Sequence, residues 1–238
     1  MTVQRIAPPV ALIVLWPKSV TAGSVAQQLV RRLSERRICS TWAVEEPSQA
    51  QMLRSLTVKA QPVELALMVT DRSNAIASIE GGLDRFAAAG EAVVAVHAGV
   101  ELPRGSVERR LCQAGVRAVI RRTIRGESST VRAMPFGLWE FGPHMSAPTS
   151  RRWLGLFGRA TSGISELVDD SPALACIDLA RASSMGSRGG RAVEQLVEQA
   201  AEASARNSAR IVTIANLAAE LSETTASRPQ RSILRMAA

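Results

Sequence analysis

The sequence predicts an α/β fold, a distorted (β/α) barrel of seven to eight parallel strands covered by helices. Three observations carry this expectation. Eight short apolar runs, several rich in Val and Ile, alternate with amphipathic segments almost without a break. Such runs, lacking polar alternation, read as strands buried on both faces. None of them is followed by a glycine-rich turn. The first leads into Trp16-Pro17-Lys18-Ser19, neither GxGxxG nor GxxxxGK[ST], which argues against an open dinucleotide-binding or P-loop sheet. Finally, 238 residues with 46% hydrophobic and 21% charged side chains can bury a sizeable core, and a disordered or fibrous chain is excluded.

The elements follow in order. Val10–Trp16 is the first strand, ended by Pro17, which cannot donate to a ladder. Thr21 fits an N-cap, and Val25, Leu29 and Leu33 at four-residue spacing give an amphipathic helix. Ile38–Val44 is the second strand. Pro47 opens a helix carrying Met52, Leu53 and Leu56. Val63–Val69 is the third strand, and Ser73–Ala89 a helix stopped by Gly90. Ala92–His97 is the fourth strand, a helix over Val107, Leu111 and Ala114 ends at Gly115, and Val116–Ile120 is the fifth. The basic, polar stretch Arg121–Arg132 reads as an exposed loop. Pro135–Phe141 is a sixth strand, weakened by Gly137, and Gly142–Arg152 is irregular. Ala173–Leu179 is the seventh, Arg188–Arg206 a long helix, and Ile211–Ile214 the eighth, followed by a short helix through Leu217 and Leu221. One domain over residues 1–222 is expected, with 223–238 a disordered basic tail.

The balance of 29 basic to 21 acidic residues gives a net charge of +8. Only Lys18 and Lys59 are lysine, and this arginine bias reads mainly as a GC-rich coding signature. The charge supports weak attraction to anionic surfaces and says nothing about fold. Aromatics are 3% of the chain and are not interleaved with the arginines, so a single-strand nucleic-acid platform is not expected. A basic nucleic-acid or regulatory module using Arg121, Arg122, Arg125 and the tail is the second alternative. No apolar run approaches the ~20 residues of a membrane helix, so no membrane span is expected. Cys39, Cys112 and Cys176 are odd in number, far apart and in apolar contexts. They read as buried reduced thiols, which favours the cytoplasm.

In a barrel, side chains at the carboxyl ends of strands meet a ligand. The candidate ligand-binding residues there are Trp16, Trp42, Glu45, Asp71, His97, Trp139, Glu140 and Asp178. Their carboxylates could act as acid and base, although any barrel has polar residues at these places. Trp139 and Glu140, in Phe-Gly-Leu-Trp-Glu-Phe, read either as a core strand with one polar end or as a sugar-stacking Trp beside a hydroxyl acceptor. The only histidines, His97 and His144, lie 47 positions apart, so no single helix or turn offers two imidazoles to one ion. No metal site, cofactor or catalytic residue is assigned on these grounds. No GxSxG setting exists for a nucleophilic serine.

Four stretches carry a resemblance. They are Val10-Ala-Leu-Ile-Val-Leu-Trp-Pro17, Leu33-Ser-Glu-Arg-Arg-Ile-Cys-Ser-Thr-Trp-Ala-Val44, Ala114-Gly-Val-Arg-Ala-Val119 and Ala209-Arg-Ile-Val-Thr-Ile-Ala-Asn-Leu-Ala218. In pattern and order, over roughly residues 10–222, the chain resembles the polysaccharide deacetylase (NodB-homology) family of distorted (β/α) barrels. The first stretch matches that family's first strand and TFDDGP motif. The resemblance implies that the motif's paired Asp, one a general base and one a metal ligand, fall on Val14 and Leu15, with Pro17 retained. The family's HSxxH pair would fall near Leu67–Asp71, where the chain reads Leu-Met-Val-Thr-Asp, and its late His near Ile177 and Asp178 is missing. A pseudoenzyme is therefore expected, retained to bind a glycan or a protein. The alternative is an active metal-dependent carbohydrate deacetylase with a site rebuilt from Asp71, His97 and Glu140 or Asp178.

Overall fold

The computed structural model describes residues 7–20, 24–57, 63–71, 73–98, 106–121, 131–147 and 172–226. Ten strands join in one sheet. They are β1 (Pro9–Trp16), β2 (Thr41–Val44), β3 (Glu64–Val69), β4 (Ala95–Ala98), β5 (Ala118–Arg121), β6 (Val131–Ala133), β7 (Trp139–Phe141), β8 (Met145–Ala147), β9 (Ala173–Asp178) and β10 (Arg210–Val212). The order across the sheet is β6-β7-β5-β4-β3-β2-β1-β9-β8. Every pairing is parallel except β6 with β7. Short β10 pairs with Pro9–Ala11 of β1, on the side that β2 takes over from Ile13 onward.

Six helices cover one face: α1 (Ser24–Glu35), α2 (Pro47–Leu56), α3 (Ala75–Ala88), α4 (Ser106–Gln113), α5 (Leu179–Ser184) and α6 (Ser187–Ala205). Their apolar sides share a core with Val10, Leu12, Val14, Trp16, Trp42, Leu65, Leu67, Val96 and Val119. Alternation along each strand sends the other residues inward. The inner set includes Ala11, Ile13, Ala43, Ala66, Ala95, Ala118, Ile120, Trp139 and Phe141. Among the described residues they pack on one helix, α7 (Ile214–Ala226), through Ile214, Leu217 and Ala218. The alanines form a row in register, Ala43–Ala66–Ala95–Ala118, which lets α7 lie close. The helix touches both β1 and β5, four places apart in the sheet order, so the sheet curls around it.

Polar side chains seat α7. The Ile214 N–H donates to Thr41 Oγ1 at 3.1 Å, and the Ala215 N–H to Glu64 Oε1 at 3.1 Å. Thr41 Oγ1 itself donates to Glu64 Oε1 at 2.6 Å. These acceptors satisfy backbone donors that a helix leaves open, and a carboxylate suits the positive end of its dipole. Farther along, Trp139 Nε1 donates to Ser222 Oγ at 2.9 Å.

Several expectations are corrected here. The sheet does not close among the described residues: it ends at β6 and β8. The expected strand over Pro135–Phe141 splits into a turn at 135–137 and β7, because Phe136 and Gly137 have positive φ. Residues at the end of the expected exposed loop form β6, and part of Gly142–Arg152 forms β8. Ile38 is not in a strand; its N–H closes α1 on Leu33 O, after Arg37 at φ 53. Cys112 is exposed, one helix position past the inward-facing Leu111. Helix α7 continues past Ser222 to Ala226, while 227–238 lie outside the described residues.

Candidate functional site

The carboxyl ends of β1 and β2 are tied together by Gln49. Its Oε1 accepts from the Glu45 and Glu46 N–H groups at 3.0 and 3.1 Å, and its Nε2 donates to Trp16 O at 2.9 Å. Glu46-Pro47-Ser48-Gln49 is a capping-box arrangement with proline in the first turn, and that spacing was legible in the sequence. Glu45 accepts the Lys18 N–H at 3.2 Å, so its carboxylate braces the loop after β1.

Asp71, exposed just past β3, accepts the Ser73 N–H at 2.9 Å and the Ser73 hydroxyl at 2.7 Å. The hydroxyl bond, then the backbone bond, hold its carboxyl below the ordinary carboxylate range. His97 is buried on β4, opposite Met68 and Ile120 in register. Asp178 ends β9 opposite Leu15 and caps α5 by accepting the Arg181 N–H at 3.1 Å. His97 and Asp178 thus stand on strands separated by β3, β2 and β1.

Trp16 and Trp42 meet edge to face, 6.1 Å between ring centroids, on the helix-covered side of the sheet. At 1% and 2% exposure neither offers a face to a ligand. Their N–H groups are taken by Val20 O and Ser40 Oγ. Trp139 is buried against α7. Its neighbour Glu140, 3% exposed, points the other way and is flanked by Arg121 and Arg132, each Nη2 within 2.8–2.9 Å of Oε2. The eight candidate residues therefore do not converge on one point. Among the described residues, no three His, Cys, Asp or Glu side chains are grouped to hold a metal ion.

Two other groups have structural settings. His144 Nδ1 accepts the Leu174 N–H at 3.2 Å, and burial holds its imidazole below the ordinary value. Burial, then the charge of Asp178, push the Cys176 thiol up to about 12, although a hydrogen bond with Ser146 works the other way. A thiol so protonated is no nucleophile. None of the three cysteines is in a disulfide. Sequence reasoning passed over Gln49, Thr41, Glu64, Arg132 and Phe136.

No family model matches the chain, and no curated protein matches it. The fold is shared with solved structures. A protein from Mycobacterium smegmatis provisionally assigned as a polysaccharide deacetylase superposes with a TM-score of 0.54 at 12% identity, over 94% of each chain. The 4-alpha-glucanotransferase of Thermococcus litoralis gives 0.53 at 14% identity, over 90% of this chain. This chain spans 38% of that enzyme's length. These likenesses place the chain in a NodB-like α/β fold with a curled, mostly parallel sheet.

Proposed function

We propose that the chain is a NodB-like half-barrel without deacetylase chemistry, acting by binding a glycan or a protein. One observation carries this reading. The end of β1, where the resemblance puts a general base and a metal ligand, holds Val14 facing the helices and Leu15 partly buried among inner residues. Neither side chain can move a proton or bind an ion, and without them no water is activated. The nearest carboxylate in register, Asp178, is engaged as a helix cap.

The rebuilt-site alternative needs Asp71, His97 and Glu140 or Asp178 to act together. Asp71 is in an exposed turn, and Glu140 is on the opposite face from His97, between two guanidiniums. Reduced, unpaired thiols fit a reducing compartment such as the cytoplasm. The test is elemental mass spectrometry on untagged protein purified without chelators, with an acetate-release assay on N-acetylglucosamine oligomers. We expect no stoichiometric metal and no acetate. Near-stoichiometric zinc, cobalt or nickel with acetate release lost in Asp71→Ala would favour the hydrolase.

A further inference from the structure

Strand β8 is three residues long, and among the described residues it pairs with β9 alone. So short a ladder holds a strand weakly, and weakly held elements open before the rest of a fold. One residue ahead of it, His144 adds two bonds to β9. Its N–H donates to Leu174 O at 2.8 Å, and its Nδ1 accepts the Leu174 N–H at 3.2 Å. The imidazole thus does what a strand carbonyl does in a ladder. A carbonyl accepts at any pH, whereas Nδ1 accepts only while it carries no proton. Protonation there sets N–H against N–H and strips the completely buried Leu174 of its acceptor. His144 is itself only half-buried, so a proton reaches it from water.

From this geometry we infer that His144 is a pH-sensitive latch, which holds β8 on the sheet at neutral pH and releases it in mild acid. Burial works in the same direction: it lowers the imidazole below its ordinary value, so the closed strand favours the unprotonated ring. Two elements packed against β8 bring titratable groups. Strand β9 brings Cys176, bonded to Ser146, and Asp178, which caps α5. Helix α6, packed on the outer side with Met145 and Ala147, brings Arg188, Arg191, Glu194, Glu198 and Glu202. Its three glutamates pair with Arg32, Arg36 and Arg206. These carboxylates are engaged elsewhere, so an imidazolium gains from them no ion pair to offset the lost bond. Release bares the β9 edge over Ala175–Ile177, and the latch stands whether or not the binding role proposed above does.

The test is residue-resolved hydrogen exchange by NMR on the full chain, from about pH 8 down to about pH 5. Each rate is divided by the intrinsic rate at that pH. Opening of Met145–Ala147 should rise by up to tenfold per pH unit below ~6.5, the open-state value, and level off below the closed-state value. The His144 pKa, read from its ring-nitrogen shifts, should lie below ~6.5 and account for the size of that rise. Strand β3 should keep its protection throughout. His144→Asn, whose Oδ1 accepts at any pH, should hold β8 closed across the range, and His144→Ala should leave it open at every pH. Opening that ignores pH, a His144 pKa at or above ~6.5, or an equal loss of protection in β3 overturns the inference. So does a pH dependence that survives in His144→Asn. Should His144→Asn weaken the whole fold, the agreement between the wild-type His144 titration and the opening of β8 decides, and a mismatch overturns the latch.

Discussion

Phe136 sits where Asn or Gly would be less strained, and this gives a stability prediction independent of any partner. Relieving a left-handed non-glycine residue recovers on the order of 1 kcal/mol. Phe136→Asn should therefore raise unfolding free energy by about that amount, read from urea denaturation, less whatever the Arg109 contact contributes. His144 makes the opposite case, a side chain whose value lies in one protonation state. Its Nδ1 accepts the Leu174 N–H only when unprotonated, and burial lowers its pKa. The folded chain thus binds fewer protons than the unfolded one. The contribution is complete above the ordinary imidazole value of ~6.5 and is lost as pH falls below it. Melting curves should show a Tm decline below that pH that His144→Ala flattens. The same variant should lose about 1 kcal/mol at neutral pH, where the orphaned Leu174 N–H is the main cost.

At the scale of elements, α5 and α6 show how a single position fixes a helix pair. A Cβ built on Gly189 would lie 2.1 Å from Ala182 O, a backbone atom that cannot swing aside. Gly189→Ala should cost several kcal/mol and separate the two helices, with loss of the buried contacts of Val193 and Leu196. Gly190, next along the same helix, meets nothing within 4 Å, so Gly190→Ala is the control and should be neutral or better. Calorimetry on the pair decides it. The main strands and long helices were legible because each has one strong signal. Continuous apolar runs mark β1, β3 and β9, and four-residue spacing marks α1. The short elements were not. β6 and β8, of three residues each, are defined by their partners rather than their own composition. The left-handed turn between β6 and β7 has no sequence signature when Phe replaces Asn. Among the candidate residues, sequence placed polar groups near strand ends but could not say which face each takes. The fate of Trp42 and Glu140 turns on that parity, and a shift of one residue reverses it.

For the whole molecule, the consequence is that α7 belongs to the core rather than trailing from it. Among the described residues, helices α1 to α6 cover the outer face, and the inner row of alanines, Ile13, Ile120 and Phe141 needs cover of its own. Helix α7 supplies that cover through Ile214, Leu217 and Ala218, with its first N–H groups fixed by Thr41 and Glu64. Leu217 is completely buried, so Leu217→Ala should cost about 2–5 kcal/mol. Removing residues 214–238 should do more than that, since it takes away every contact that Ile214, Leu217 and Ala218 make with the inner face. The truncated chain is expected to bind a hydrophobic dye strongly and to lose cooperative melting. Were the 214–238 truncation to melt as cooperatively as the full chain, the half-barrel would not need its inner helix. Its inner face would then be free to receive a ligand, as an open barrel's is.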